Sequence, residues 1–282
     1  MPQLPMMLKA ALPALPGVNQ LPGIKKTGNA LPEVTLRREN VLVDRAEVDR
    51  YADVCGFPHR DVAPVPYLHM LAFELHMRLM TDAAFPFPAI GSVHLENTIT
   101  QHRPIAIGES VSLALSADNL RASTKGRAWD MNVLAHVGSE LVWESTSTYL
   151  RVGHGDPEHG DPGMSLHKVE AKGPRWNLGG DLGRRYARVS GDHNPIHLHP
   201  LSAKALGFPR HIAHGMWSKA RCIAALENRL PDAVTVQVAF KKPIFLPGTA
   251  QFGAQRNEDG YDFTLLNPKT GAPHLLGRTA PA

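Results

Sequence analysis

The stretch Tyr51-Ala52-Asp53-Val54-Cys55-Gly56 returns in the second half of the chain as Tyr186-Ala187-Arg188-Val189-Ser190-Gly191. A second echo follows in the same order, Arg103-Pro104-Ile105 with Gly108, then Lys242-Pro243-Ile244 with Gly248. Either match alone is short enough to be chance. Their common order on both sides of a connector points to two copies of one fold. That connector is Gly153 to Gly163, GHGDPEHGDPG. It holds no hydrophobic residue, so it has nothing to bury and is expected to be flexible and exposed.

Each copy carries a helix followed by strands. Leu68, Leu71, Ala72, Leu75 and Leu79 recur at helical spacing just after Pro64 and Pro66. Ile212, Met216, Ala220, Ile223, Leu226 and Leu230 form the matching stripe, ended by Pro231. Strand alternation follows at Trp129, Met131, Val133, Ala135 and Val137, and again at Val234, Val236, Val238 and Phe240. A long apolar helix with several alternating strands predicts an α+β architecture, the helix packed on one face of an antiparallel sheet. A doubly wound fold is disfavoured, because strands and helices do not alternate regularly and G-x-G-x-x-G is missing.

Composition narrows the function classes. The 282 residues suffice for two domains of ordinary size. Hydrophobic residues make up 43% and charged residues 20%, enough for a buried core and too apolar for disorder. No stretch reaches the ~18 apolar residues of a membrane helix. The proline-punctuated N-terminus lacks the apolar core and cleavage site of a signal peptide. Two cysteines, Cys55 and Cys222, have no metal-site spacing and suit a reducing, cytoplasmic setting. A net charge of +4 admits an anionic ligand, but the basic residues are scattered and aromatics are 6%, so nucleic acid is not an expected partner.

The chemistry concentrates between Tyr186 and Gly215, YARVSGDHNPIHLHPLSAKALGFPRHIAHG. Asn194-Pro195 favours a turn, so Asp192 and His197 flank a bend and can meet as an acid–base pair. Three other readings of the stretch stand beside this one. His197-x-His199 and His193-x-x-x-His197 have metal-ligand spacings, though no further ligand set follows. Ser190 and Ser218 admit nucleophilic hydrolysis, but no G-x-S-x-G elbow surrounds them. Asp192 or Asn194 could simply cap a helix.

The run Tyr186-x-x-x-Ser190-Gly191-Asp192-x-Asn194-Pro195-x-His197, then Ala203 and Ala213-His214-Gly215, resembles the signature of the MaoC-like dehydratases, the (R)-specific enoyl-CoA hydratases. Phe240-Lys241-Lys242-Pro243 and the Pro247-Gly248 turn resemble that family's strand after the central helix. The resemblance implies two tandem hot-dog folds, each an antiparallel sheet wrapped around a long helix and together a pseudo-dimer. On this reading residues 1–35 are an N-terminal arm, 36–152 a non-catalytic copy, 153–172 the linker and 173–282 the catalytic copy.

The activity implied is reversible hydration of trans-2-enoyl thioesters to (R)-3-hydroxyacyl thioesters, with no metal or redox cofactor. Asp192 and His197 would be the catalytic pair, and Asn194 would hold the water or orient Asp192. The backbone N–H of Gly215 would bind the thioester carbonyl. Phe240 would line the acyl or pantetheine channel, while His94 and Lys125 match positions that touch the carrier. The expected partner is an acyl-CoA or acyl-carrier-protein thioester, and a homodimer is a further expectation. Hot-dog thioesterases and acyl-CoA-binding proteins remain alternatives within the same fold. Phe57, His59 and Val62 stand where the second copy has Asp192, Asn194 and His197, so the first copy should be non-catalytic. His193, His199, His211 and His214 are expected to be structural or solvent-facing.

Overall fold

The computed structural model describes residue 26 and residues 29–160 and 163–282. Most of the expected N-terminal arm, residues 1–25, 27 and 28, lies outside the described residues. Lys26 donates through Nζ to the carbonyls of Met80 and Asp82.

The first copy runs β1 (Leu36–Leu42), α1 (Arg45–Cys55), α2 (Tyr67–Thr81), β2 (Ser92–Gln101), β3 (Ser110–Ser123), β4 (Gly126–Val137) and β5 (Glu140–Val152). The second runs β6 (Arg175–Leu178), α3 (Leu182–Ser190), α4 (Pro195–Leu198), α5 (Pro200–Ala205), α6 (Gly215–Ala224), β7 (Val234–Phe240), β8 (Gly248–Arg256), β9 (Tyr261–Leu266) and β10 (Pro273–Pro281). All ten strands join one antiparallel sheet in the order β1-β3-β4-β5-β2-β7-β10-β9-β8-β6. Read outward from the centre, the two halves have the same strand order. The duplication inferred from two short motifs is therefore a duplication of topology.

The halves meet at the β2–β7 ladder, Glu96 opposite Ala239 through Gln101 opposite Val234. Beneath it Lys219, fully buried on α6, donates through Nζ to the backbone carbonyls of Asn97 and Val236 and to Asn97 Oδ1. Three acceptors satisfy an ammonium that has lost its water. The repeated tyrosines pack together, with the Tyr51 and Tyr186 rings 6.3 Å apart. Each repeat ends in glycine for a local reason. Gly56 (φ 80°) and Gly191 (φ 76°) take the left-handed conformation that closes a helix, donating to the carbonyls of Ala52 and Ala187.

The copies diverge just after that glycine. In the first, residues 56–66 cross from α1 to α2; in the second, the longer segment 191–214 connects α3 to α6 and adds α4 and α5. Val62 bridges Ala106 in the same way that Ile212 bridges Phe245. This corrects the simple offset: Val62 is the counterpart of Ile212 rather than of His197. The extra segment carries the candidate catalytic residues, so the first copy lacks not only the side chains but the loop that would hold them.

Residues 153–160 and 163 are largely exposed and without regular strand or helix. The segment is laid along the β3–β4 turn, with Gly153 N–H donating to Lys125 O and Asp156 N–H to Ser123 O. A Cβ on Gly155 would stand 1.8 Å from the Thr124 carbonyl oxygen, so glycine is what allows this approach. Among the described residues no helix is long and apolar enough to cross a membrane.

Candidate active site

Asn194 organises the bend that the sequence predicts. Its Oδ1 accepts the Ile196 N–H and caps α4, with Pro195 at the first helical position. Its own N–H donates to Asp192 Oδ1 at 3.1 Å. Capping and orienting Asp192, offered as competing readings of the sequence, are both performed by this one residue. Asp192 is held further by its N–H, which donates to Ser190 Oγ at 3.2 Å.

His197, on α4, is buried and donates from Nδ1 to the Ile212 carbonyl at 2.8 Å. A carbonyl only accepts, so Nδ1 carries the proton and Nε2 keeps its lone pair. Burial lowers the His197 pKa, and the Asp192 charge opposes that shift. The imidazole is thus held neutral, as a base must be. The Gly183 backbone packs against this turn so closely that a Cβ there would lie 1.9 Å from the His197 carbonyl oxygen.

His214 follows the structural alternative of the two expected for it. Expected to be structural or solvent-facing, it is buried in the middle of the site. Its Nε2 donates to the Asp192 backbone carbonyl at 2.9 Å, and its ring stacks on that of His197 with centroids 3.7 Å apart. Burial and the neighbouring His197 push its pKa down to about 3. The Ala213-His214-Gly215 triplet carries this histidine next to the glycine of the helix N-terminus. The other three histidines do take local roles. His193 and His211 hydrogen-bond the carbonyls of Gly191 and Gly180, and the His199 side chain caps α5.

A carboxylate oxygen of Asp192 and one ring nitrogen each of His197 and His214 lie within 4.8 Å of one another. A water bridging two hydrogen bonds of ~2.8 Å fits such a gap. The His197-x-His199 ligand pair does not form, because exposed His199 points its Nδ1 at the Leu201 N–H.

These groups open on a cavity of about 490 Å³ between the two copies. Gly215, the first residue of α6, lies in its wall, where first-turn N–H groups have no intrahelical partner and the helix dipole is positive. A Cβ at Gly215 would approach Phe240 Cε1 to 3.1 Å, so glycine keeps this backbone open to a ligand. Half-buried Phe240 lines the same wall, against His94 at 5.0 Å between centroids. Met70, Phe73, Met77 and Met80 of α2 form an apolar lining, while exposed Lys241 and Lys242 border the cavity on the solvent side. Of the residues expected to bind substrate, Asn194, Gly215, Phe240 and His94 come together here. Lys125 does not. It is exposed in the β3–β4 turn and is not part of the cavity wall.

Two copies of one antiparallel sheet-and-helix unit, sharing a channel at their seam, define a double hot-dog protein. The chain belongs to the MaoC-like dehydratase family. A family model described as a MaoC like domain matches residues 178–267. The 3-hydroxyacyl-thioester dehydratase X of Mycobacterium tuberculosis is 38% identical over 273 residues, spanning 95% of this chain and 94% of that protein. The crystal structure of HtdX from the same organism superposes with a TM-score of 0.77 at 38% identity, covering 88% of this chain and all of that one. A MaoC-like dehydratase from Phytophthora capsici shares the fold at 20% identity, with a TM-score of 0.72 over 91% of this chain and 97% of that chain.

Proposed function

We propose that this protein is a hydro-lyase that reversibly adds water to trans-2-enoyl thioesters, giving (R)-3-hydroxyacyl thioesters, with Asp192 and His197 as its catalytic pair. The observation that carries this reading is the convergence of Asp192, neutral His197 and the α6 N-terminus at Gly215 on one wall of an apolar channel. The 3-hydroxyacyl-thioester dehydratase relative, similar over nearly its whole length, supports the same activity.

The thioester carbonyl oxygen lies against the Gly215 N–H, which stabilises the enolate charge that develops there. One such donor is worth roughly 3 kcal/mol in comparable sites. Asp192 and His197 hold a water between them, take one of its protons as oxygen attacks C3, and return a proton to C2. The overall change is one O–H added across the double bond. Asn194 N–H and the His214 contact to the Asp192 carbonyl keep the carboxylate in place. Phe240 and His94 shape the channel beyond. CoA is the carrier we favour, because Lys241 and Lys242 at the exposed border suit its phosphates. Both cysteines are buried free thiols, in keeping with a reducing cytoplasm.

The test follows the enoyl-thioester absorbance with crotonyl-CoA and a longer trans-2-enoyl-CoA. Wild type should bleach the band without releasing free thiol, and Asp192→Asn should lose at least a hundredfold in rate, the scale of general acid–base catalysis. Full activity in Asp192→Asn would sink the mechanism, and thiol release would replace the reaction with hydrolysis.

A further inference from the structure

One polar group of the channel wall is left unused by the chemistry above, the hydroxyl of Tyr149 on β5. His94, Tyr149 and Trp129 stand opposite one another on the neighbouring strands β2, β5 and β4. The Tyr149 ring stacks on His94 at 4.6 Å, with 16° between the planes, and on Trp129 at 5.8 Å and 18°. Side chains on a strand stand roughly perpendicular to the sheet. A phenol held upright between two flat rings therefore carries its hydroxyl away from the sheet, and Tyr149 lines the channel on that side. Among the described residues nothing hydrogen-bonds this hydroxyl, yet it is not sealed in the core as the Tyr67 hydroxyl is. Tyr149 keeps 9% of its surface accessible.

Burial pushes the Tyr149 phenol up from its ordinary pKa, and the Asp192 charge pushes it further. The group is thus a neutral O–H, a donor standing in the field of that carboxylate. His94 beside it feels the same charge: burial lowers its pKa, and Asp192 opposes that shift. The β2–β5 rung and Asp192 therefore look onto the same stretch of channel. Asp192 and Tyr149 do not bond each other, so a small polar group placed between them is what pairs the phenol. The water held by Asp192 and His197 is such a group. The thioester carbonyl is not, because its place is at the Gly215 N–H.

We propose that the Tyr149 hydroxyl is a third contact to the C3 oxygen, holding the attacking water beside Asp192 and His197 and, after addition, the 3-hydroxyl of the product. The inference rests on the hydratase reading of the site and deepens it. Tyr149 belongs to the first copy and the acid–base pair to the second, so one active site draws on both.

Tyr149→Phe keeps the ring between His94 and Trp129 and removes only the oxygen, so the melting temperature should hold. Rates are followed in both directions by the enoyl absorbance, hydrating crotonyl-CoA and dehydrating (R)-3-hydroxybutyryl-CoA. Crotonyl-CoA has no C3 oxygen, so hydration should lose about tenfold in kcat, the scale of one hydrogen bond, with KM unchanged. In dehydration the bond exists in the substrate as well as in the transition state, so the same factor should appear in KM with kcat unchanged. Rates within about twofold of wild type in both directions, a loss divided otherwise between kcat and KM, or a lowered melting temperature overturn the proposal. A wild type that leaves the enoyl band unchanged would sink the hydratase reading instead. Calorimetry with (R)-3-hydroxybutyryl-CoA and butyryl-CoA then decides the contact. A preference for the hydroxy ester that Tyr149→Phe abolishes sustains it, and no preference, or one that survives the substitution, overturns it.

Discussion

Lowering the pH from 7.5 to 5.5 should destabilise this protein well before its carboxylates begin to protonate. His76 is fully buried and His214 is 2% exposed, and both are pushed down to about 3, chiefly by loss of hydration. In the unfolded chain the same imidazoles titrate near 6.5. Their folded values are depressed, so their stabilising difference is complete above 6.5 and is lost as pH falls from 6.5 toward 3. The unfolded chain takes up protons there that the fold refuses. Each histidine loses ~1.4 kcal/mol per pH unit. The pair therefore removes about 3 kcal/mol by pH 5.5, against a net stability of ~5–15 kcal/mol for a typical protein. His69, His94, His197 and His274, all lowered by burial, act in the same direction. Buried Glu96 and half-buried Glu227, raised by desolvation, oppose them above the ordinary carboxylate value, where the fold takes up their protons before the unfolded chain does. Urea unfolding followed by tryptophan fluorescence at pH 7.5, 6.5 and 5.5 and constant ionic strength measures the slope, which should correspond to uptake of at least two protons below pH 6. His76→Phe should remove about one proton from it. A flat stability from pH 7.5 to 5.5, or a slope indifferent to His76→Phe, would refute the reasoning.

Three further outcomes test the site. Because His197 is depressed below its ordinary value and acts in its neutral form, kcat/KM should hold as pH falls through 6.5 and decline only lower, which a pH–rate profile reads directly. Gly183→Ala should push the α4 turn and its His197 out of register, since the new Cβ would sit 1.9 Å from the His197 carbonyl oxygen. A displacement of that order costs ~100-fold in rate, measured as kcat, with thermal melting as the control for folding. His214→Phe keeps an aromatic ring against His197 but loses the bond to the Asp192 carbonyl. It should lower kcat about tenfold, taking ~1.4 kcal/mol as the value of one hydrogen bond, while KM changes little.

The parts of this protein that could be read from its sequence are those written in short, contiguous patterns. The Tyr51 and Tyr186 repeats end in glycines that must adopt the left-handed conformation, and that local demand is why the echo survives divergence elsewhere. The central helix of the first copy, Tyr67–Thr81, follows from its leucine spacing. The apolar spacing extends the second helix back to Ile212, which instead lies before it in a bridge with Phe245, because helical spacing alone does not mark a boundary. A fixed offset pairs Val62 with His197 because a constant spacing is blind to an insertion, and the longer 191–214 segment absorbs the difference. His69 and His76 stand two turns apart on α2, beside its leucine stripe rather than within it.

Local chemistry in the chain determined the duplication, the α+β class and the Asp192-to-His197 bend, since turn-forming residues, caps and alternation act over a few positions. Tertiary structure alone decided that His214 sits against His197, that Gly183 abuts the turn bearing it, and that α2 of the first copy lines the channel into which Asp192 and His197 of the second open. Those contacts join residues remote in sequence, and each depends on how the elements of two copies pack around the shared β2–β7 ladder rather than on any preference of the residues themselves.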